Sequence, residues 1–170
     1  MKLLAVIDMQ NDFIDGALGT PEAVAIVENV KERIAQARQN GEDVLFTRDT
    51  HLDDYMDTQE GKKLPVPHCM LDTFGWEIRD GLVGTDDVII DKPTFGSTKL
   101  QAYVVQSGYS EVELIGLCTD ICVISNAMLI KAADPECRVS VRADCCAGVT
   151  PESHNNALAA MAMCQIEVIA

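Results

Sequence analysis

Short runs of apolar residues separated by stretches of helical periodicity constrain this chain more than any other feature of it. Lys2–Asp8 is apolar up to its closing acid and leads into Asn11, Asp12, Gly16 and Gly19, which reads as a buried strand entering a loop. From Pro21 to Asn40, Val24, Ile26, Val27, Val30, Ile34 and Ala37 recur at helical spacing, and Gly41 supplies the stop. The same alternation predicts strands at Asp43–Thr47, Val88–Asp91, Glu113–Leu117, Arg138–Arg142 and Ile166–Ile169, and helices at Thr98–Ser107, Asp120–Ala133 and Pro151–Met163. Strands that are apolar throughout must be covered on both faces. The expected fold is therefore α/β and doubly wound, with a mostly parallel central sheet of about six strands and helices on both faces. Arg48–Gly84 breaks the pattern: it is long, weakly periodic and rich in Asp, Gly, Lys and Pro, and loops of that length in compact domains usually carry function.

The 170 residues suit one domain, and 13 basic against 27 acidic residues give a net charge of −14. Such a surface repels a phosphate backbone and an anionic bilayer, so neither nucleic acid nor membrane is an expected partner. The opening M-K-L-L-A-V-I-D looks like a signal peptide only until Asp8, Asp12 and Asp15 interrupt it, and no run approaches the roughly 20 apolar residues of a membrane helix. Seven scattered cysteines, several within apolar runs, suit reduced thiols in a cytoplasm.

Ligands of doubly wound sheets bind beyond the carboxyl ends of the strands, which directs attention to three residues. Asp8 follows the first strand, Lys92 the third, and Cys122 lies shortly after the fourth. Each alone has a plainer role: a loop acid, a solvated lysine, a small core thiol. Together they form a base, a cation and a nucleophile. A cysteine in the first turn of a helix beside a lysine is expected to have a lowered thiol pKa, Asp8 to take its proton, and backbone N–H groups of the strand-to-helix turn to hold an oxyanion.

The runs Asp8-Met9-Gln10-Asn11-Asp12-Phe13, Asp91-Lys92-Pro93-Thr94-Phe95-Gly96-Ser97-Thr98 and Gly116-Leu117-Cys118-Thr119-Asp120-Ile121-Cys122-Val123 resemble, in order and spacing, the three motif blocks of the isochorismatase-like cysteine hydrolases. The resemblance implies one hydrolase domain over residues 1–170, a catalytic triad of Asp8, Lys92 and Cys122, and an oxyanion hole from the N–H groups of Cys118 and Cys122. It also implies a cis peptide between Leu117 and Cys118.

Asp49 and His51 follow the second strand, and Glu60 and His68 lie in the same long segment, a donor set suited to Zn²⁺, Mn²⁺ or Fe²⁺. The pattern is similar to the metal site of the nicotinamidase branch of that family, with Asp57 as the rival of Glu60 for one ligand position. This resemblance implies a metal-dependent amidohydrolase converting nicotinamide to nicotinate and ammonia through a thioester, with zinc the leading metal. A carbamoyl or ureido amide is the alternative substrate. Phe13 would face the substrate ring. Where a second ring-stacking aromatic is expected, the chain has Leu64-Pro65-Val66-Pro67, leaving Trp76 or Tyr55 to fill the role. His154 and the cysteines Cys137, Cys145, Cys146 and Cys164 are read as structural, Asp120 as the cap of the Cys122 helix, and a homo-oligomer is carried over by analogy.

Overall fold

The computed structural model describes residues 1–170. Six strands, β1 (Lys2–Ile7), β2 (Asp43–Asp49), β3 (Val88–Lys92), β4 (Glu111–Leu117), β5 (Arg138–Ala147) and β6 (Glu167–Ile169), form one sheet in the order β3-β2-β1-β4-β5-β6. Every neighbouring pair is parallel. In β1 the side chains of Leu3, Ala5 and Ile7 enter one core and those of Leu4 and Val6 the other. Both faces of the strand are thus sealed, which is why its sequence carries no polar alternation.

Helices α1 (Asn11–Ile14), α2 (Pro21–Ala25), α3 (Val27–Gln39), α4 (Gln59–Lys63), α5 (Thr98–Ser107), α6 (Ile124–Ala133) and α7 (Pro151–Met163) connect the strands. Val30, Ile34 and Ala37 of α3 pack with Leu4 and Val6, while Leu100 and Val104 of α5, Ala127 and Ile130 of α6 and Met161 of α7 pack with Leu3, Ala5 and Ile7. The starts of α2, α5 and α7 are capped by the hydroxyls of Thr20, Ser97 and Thr150, which accept from Ala23, Leu100 and Ser153 N–H at 3.0, 3.1 and 3.0 Å. Each cap satisfies a backbone donor that the first helical turn leaves free.

Several expected boundaries move. The helix expected over 21–40 is two, joined at Ile26, whose helical φ and ψ (−85° and −11°) keep both pieces on one line of apolar residues. β5 runs on to Ala147, five residues past its expected end, with a register shift between Leu114 and Gly116; the polar Arg142 and Asp144 conceal this extension. Asp120–Ala133 opens as a wide π-type turn over Thr119–Val123 before α6 begins. The Leu117–Cys118 peptide is cis. No helix is long and apolar enough to cross a membrane.

One buried charge cluster lies apart from the strand ends that carry the site. Glu113 of β4, 1% exposed, accepts from Arg33 Nε and Nη2 at 2.8 and 3.0 Å and from Arg142 Nε at 2.8 Å. Burial would raise its carboxyl, but the two guanidinium groups override it and hold the pKa down at about 2. With the folded value depressed, its stabilisation is present above the ordinary value and is lost as pH falls through about 2. Glu113→Gln would leave Arg33 with only Glu42, and the expected cost is about 3 kcal/mol at pH 7. Urea unfolding of the variant would measure it, and a loss under about 1 kcal/mol would mean that Arg33 is already satisfied without Glu113.

Candidate active site

The strand order reverses between β1 and β4, so the loops leaving these neighbouring strands diverge and open a crevice at their carboxyl ends. Asp8 stands at the end of β1 with a left-handed φ of +46°. A non-glycine residue there is strained and is held by its surroundings: its N–H donates to Thr47 Oγ1 at 3.2 Å and its Oδ1 accepts from the same hydroxyl at 2.6 Å. Gly116, on the adjacent strand, has φ +115°, and a Cβ there would run into the Ile7 carbonyl. Glycine therefore lets β4 lie close to β1 next to Asp8.

Lys92 closes β3 beside Asp49 of β2 and reaches across the strand ends. Its Nζ lies 2.6 Å from Asp8 Oδ2, 3.3 Å from Asp49 Oδ1 and 3.6 Å from Cys122 Sγ, and donates to the Thr94 carbonyl at 3.0 Å. The three sequence-predicted residues from three strand ends thus meet around one ammonium. Asp8 and Lys92 are essentially fully buried and Cys122 is 4% exposed.

Protonation in this trio departs from the expectation of a lowered thiol pKa. Burial pushes the Cys122 thiol well above its ordinary value, the charges of Asp8 and Asp49 push it further, and Lys92 opposes them. Burial likewise raises Asp8 against the pull of Lys92. Burial alone would lower Lys92, but Asp8, Cys122 and Asp49 outweigh it and keep the amine charged. Burial of the sulfur is the main reason its direction differs from the expectation, and the two buried carboxylates beside it add to the rise that one cation opposes.

Cys122 sits in the wide turn 119–123, and Asn126, one turn on, ties that turn to the loop after β3. The Asn126 amide donates to the Cys122 carbonyl at 2.8 Å and the Phe95 carbonyl at 3.1 Å, and its Oδ1 accepts from Ser97 N–H at 2.8 Å. Cys118 N–H has no acceptor within the protein, leaving it free to bind an anionic oxygen. Asp120 does not cap the helix; its carboxylate accepts from Val149 N–H at 3.2 Å and binds the turn to the loop after β5. Nothing in sequence spacing pointed to Thr47, Asn126 or that tie.

Asp49, His51, Glu60 and His68 bring one donor atom each within 4.8 Å of one another. Asp57, on the short turn Tyr55–Asp57, is outside the group, so the ambiguity at that position falls to Glu60. His68 Nδ1–H donates to the Val66 carbonyl at 2.8 Å, leaving Nε2 free to ligate. His51 Nε2 is buried without a hydrogen-bond partner, 2.9 Å from Asp49 Oδ2. An orphaned imidazole nitrogen among two carboxylates and a second imidazole is the donor set a divalent ion satisfies. Burial would raise the Asp49 carboxyl, but the imidazoles and Lys92 hold it well below the usual range, whereas Glu60 is raised by burial and by Asp49. Gln10 fixes Asp49 from behind, accepting its N–H at 2.7 Å and donating to its carbonyl at 2.8 Å. The stretch between β2 and β3 supplies three of the four donors, His51, Glu60 and His68, and the last residue of β2 supplies the fourth.

A cavity of about 250 Å³ joins the two clusters, with Asp49, Glu60 and His68 at one side and Cys118 and Cys122 at another. Phe13 lines it. Trp76 and Tyr55 do not. The Trp76 indole N–H is bound to Thr50 Oγ1 at 2.9 Å with Arg48 stacked 3.7 Å over its ring, and Tyr55 packs against His51 and His68 with its hydroxyl on the Leu64 carbonyl. Leu64 itself and Phe95 line the cavity instead.

Comparison with known proteins places the whole chain in one family. The isochorismatase domain model matches residues 2–170. The chain is 26% identical to the nicotinamidase/pyrazinamidase of Mycobacterium tuberculosis over 99% of its own length and 98% of the relative's. It is 34% identical to a probable inactive nicotinamidase of Arabidopsis thaliana, over 89% of this chain and 83% of that protein. The crystal structure of the Pyrococcus horikoshii pyrazinamidase in complex with zinc superposes with a TM-score of 0.85 at 29% identity, covering 99% of this chain and 98% of that one.

Proposed function

The chain belongs to the isochorismatase family, and on that premise we propose that it is a metal-dependent cysteine amidohydrolase, a single catalytic domain over residues 1–170 that converts nicotinamide to nicotinate and ammonia. The observation that carries the reading is one buried ammonium, Lys92, within 2.6 Å of a carboxylate and 3.6 Å of a thiol, sharing Asp49 with a four-donor metal cluster across an apolar cavity.

In this reading Asp8 takes the Cys122 proton as the sulfur attacks the carboxamide carbon. The oxyanion settles on the N–H groups of Cys118 and Cys122. Collapse forms a thioester and expels ammonia, which receives its proton from Asp8. Asp8 then deprotonates the water that attacks the thioester; the acid leaves, and Cys122 recovers its proton from Asp8. Lys92 stays charged throughout and keeps Asp8 ionised when the thiol is protonated. Asp49, His51, Glu60 and His68 would hold a divalent ion, zinc first, which when bound supplies a Lewis acid for the ring nitrogen of a pyridine carboxamide. Phe13 covers one face of that ring. All seven cysteines are free thiols, which suits a reducing compartment such as the cytoplasm.

The test is ammonia release from nicotinamide together with elemental analysis of the purified protein. Stoichiometric metal and turnover of nicotinamide are expected. Removing the metal by chelation is expected to lower kcat/KM by about 100-fold, because substrate loses its positioning, with recovery on adding Zn²⁺. Undiminished turnover by metal-free protein would refute the metal's role. A carbamoyl or ureido amide is a second reading, favoured by Leu64 at the cavity wall where a stacking ring is expected. Faster ammonia release from such a compound than from nicotinamide would select it.

A further inference from the structure

We propose that His154 is a positioning residue for the turn carrying Cys118 and Cys122, acting through Thr119; the inference rests on that turn holding the oxyanion as read above. His154 lies in the first turn of α7, with its Nδ1 2.7 Å from Thr119 Oγ1. Thr119 is fully buried between the two cysteines, and His154 is the only hydrogen-bond partner of its hydroxyl.

The chemistry of that pair makes it directional. A hydroxyl carries one proton, and a buried one needs an acceptor. A neutral imidazole with a bare Nδ1 provides it. An imidazolium donates from both nitrogens, so protonating His154 would reverse the bond and leave the Thr119 proton buried with nowhere to go. The turn would have to shift to relieve it, and the N–H groups flanking Thr119 would shift with it.

The surroundings favour the neutral form. Asp120 on the turn, Glu22 of α2 across a small hollow and the Cys146 thiol of β5 are the titratable groups around the ring. Burial holds His154 below its ordinary value, with Asp120 opposing. The start of α7 also packs closely on Gly148, where a Cβ would come within 2.9 Å of the His154 Cβ and backbone nitrogen. Gly148 and Val149 line the same cavity as Cys118 and Cys122, so His154 and Asp120 together join the turn to the loop after β5 at the cavity wall.

The test compares the full-length protein with His154→Asn, His154→Leu, Thr119→Ser and Thr119→Val. The Asn Oδ1 stands near where the imidazole Nδ1 stood, and it accepts without titrating. Two readouts are needed: the backbone amide NMR signals of Cys118 and Cys122 from about pH 5 to 8, and kcat and KM for amide hydrolysis. In the wild type the two signals are expected to move with the titration of His154, and in His154→Asn to stay flat. His154→Leu and Thr119→Val are expected to lose about 10-fold or more in kcat with KM within about twofold, since an oxyanion donor acts in the transition state. His154→Asn and Thr119→Ser are expected to keep kcat within about threefold. Cys118 and Cys122 signals indifferent to the protonation of His154, or wild-type kcat in His154→Leu, would overturn the proposal. Should Leu or Val prevent folding, the Asn and Ser variants decide it. A wild type inert toward nicotinamide and carbamoyl amides alike would refute the proposed function, while the amide signals would still test whether His154 governs the turn.

Discussion

Cys122→Ala is expected to abolish ammonia release, lowering kcat by roughly 10⁴-fold or more, while the protein stays folded. The loss follows from chemistry: no other cysteine has Lys92 Nζ 3.6 Å away and Asp8 on the same ammonium, so no second thiol can take over the attack. Retention of the fold follows from size. The substitution removes one sulfur from a site that is 4% exposed, and the Lys92 contact it loses is a long one, so the cost is about 1 kcal/mol or a few degrees in Tm. Iodoacetamide gives an independent check. Cys164 is the one exposed cysteine, and its alkylation is expected to leave activity untouched, whereas loss of activity should follow labelling of Cys122 residue for residue. Ammonia release by Cys122→Ala within tenfold of wild type would remove Cys122 as nucleophile. It would also reduce the convergence at Lys92 to a buried ion pair.

How much of this was legible beforehand depends on what each residue's neighbours in the chain reveal. Asp8, Lys92 and Cys122 end or follow apolar strands, and strand ends of a parallel sheet lie on one rim, so their meeting was readable from periodicity. Asp49 and His51 shared that advantage, at the end of β2. His68 and Glu60 did not, since Arg48–Gly84 has no period to place them, and only the resemblance of their spacing to a known metal site selected them. Glu60 prevailed over Asp57 because α4 carries it back toward His51, while the turn 55–57 leaves Asp57 outside the group. Leu64 and Phe95 were missed as cavity walls because an exposed leucine and phenylalanine in loops have no signature apart from the loops' shape. The direction of the Cys122 pKa departs from the sequence-based expectation for a related reason. Lys92 is a near neighbour in sequence-based expectation too, but the burial of the sulfur, and of Asp8 and Asp49 beside it, exists only in three dimensions. The position of His154 against Thr119 is likewise a contact between segments 35 residues apart that no local pattern announces.

Lys92→Met is expected to destabilise the fold more than loss of the thiol does, because it removes the charge that three acidic groups share. Asp8 has Lys92 as its ion partner at 2.6 Å, and both side chains have no exposed surface, so the variant would bury an uncompensated carboxylate beside Asp49. Breaking a buried pair by removing one partner costs about 3–5 kcal/mol. The chain can soften this by protonating Asp8, which makes the cost depend on pH. Asp8 is already raised above its ordinary value of 3.8 by burial, and losing the Lys92 charge that opposes burial raises it further. A carboxyl whose folded value lies above its unfolded one binds its proton more tightly when folded. The variant's stability is thus fully present below the unfolded value and falls as pH rises through the folded one. Urea unfolding should therefore find Lys92→Met closest to wild type near pH 5 and furthest from it near pH 8, the order opposite to that of a depressed carboxylate such as Glu113. The protonated Asp8 that limits the damage can no longer accept the Cys122 proton, so ammonia release should drop by about 10³-fold or more even where the variant is best folded. Lys92→Arg is the sharper control. It restores the charge but not the fit, since a planar guanidinium cannot stand where one nitrogen meets Asp8, Asp49, Thr94 and Cys122 together, and it should recover stability ahead of turnover. A Lys92→Met protein with wild-type stability at pH 8 would mean that Asp8 is neutral in the native enzyme, and the proton path from Cys122 would need another base.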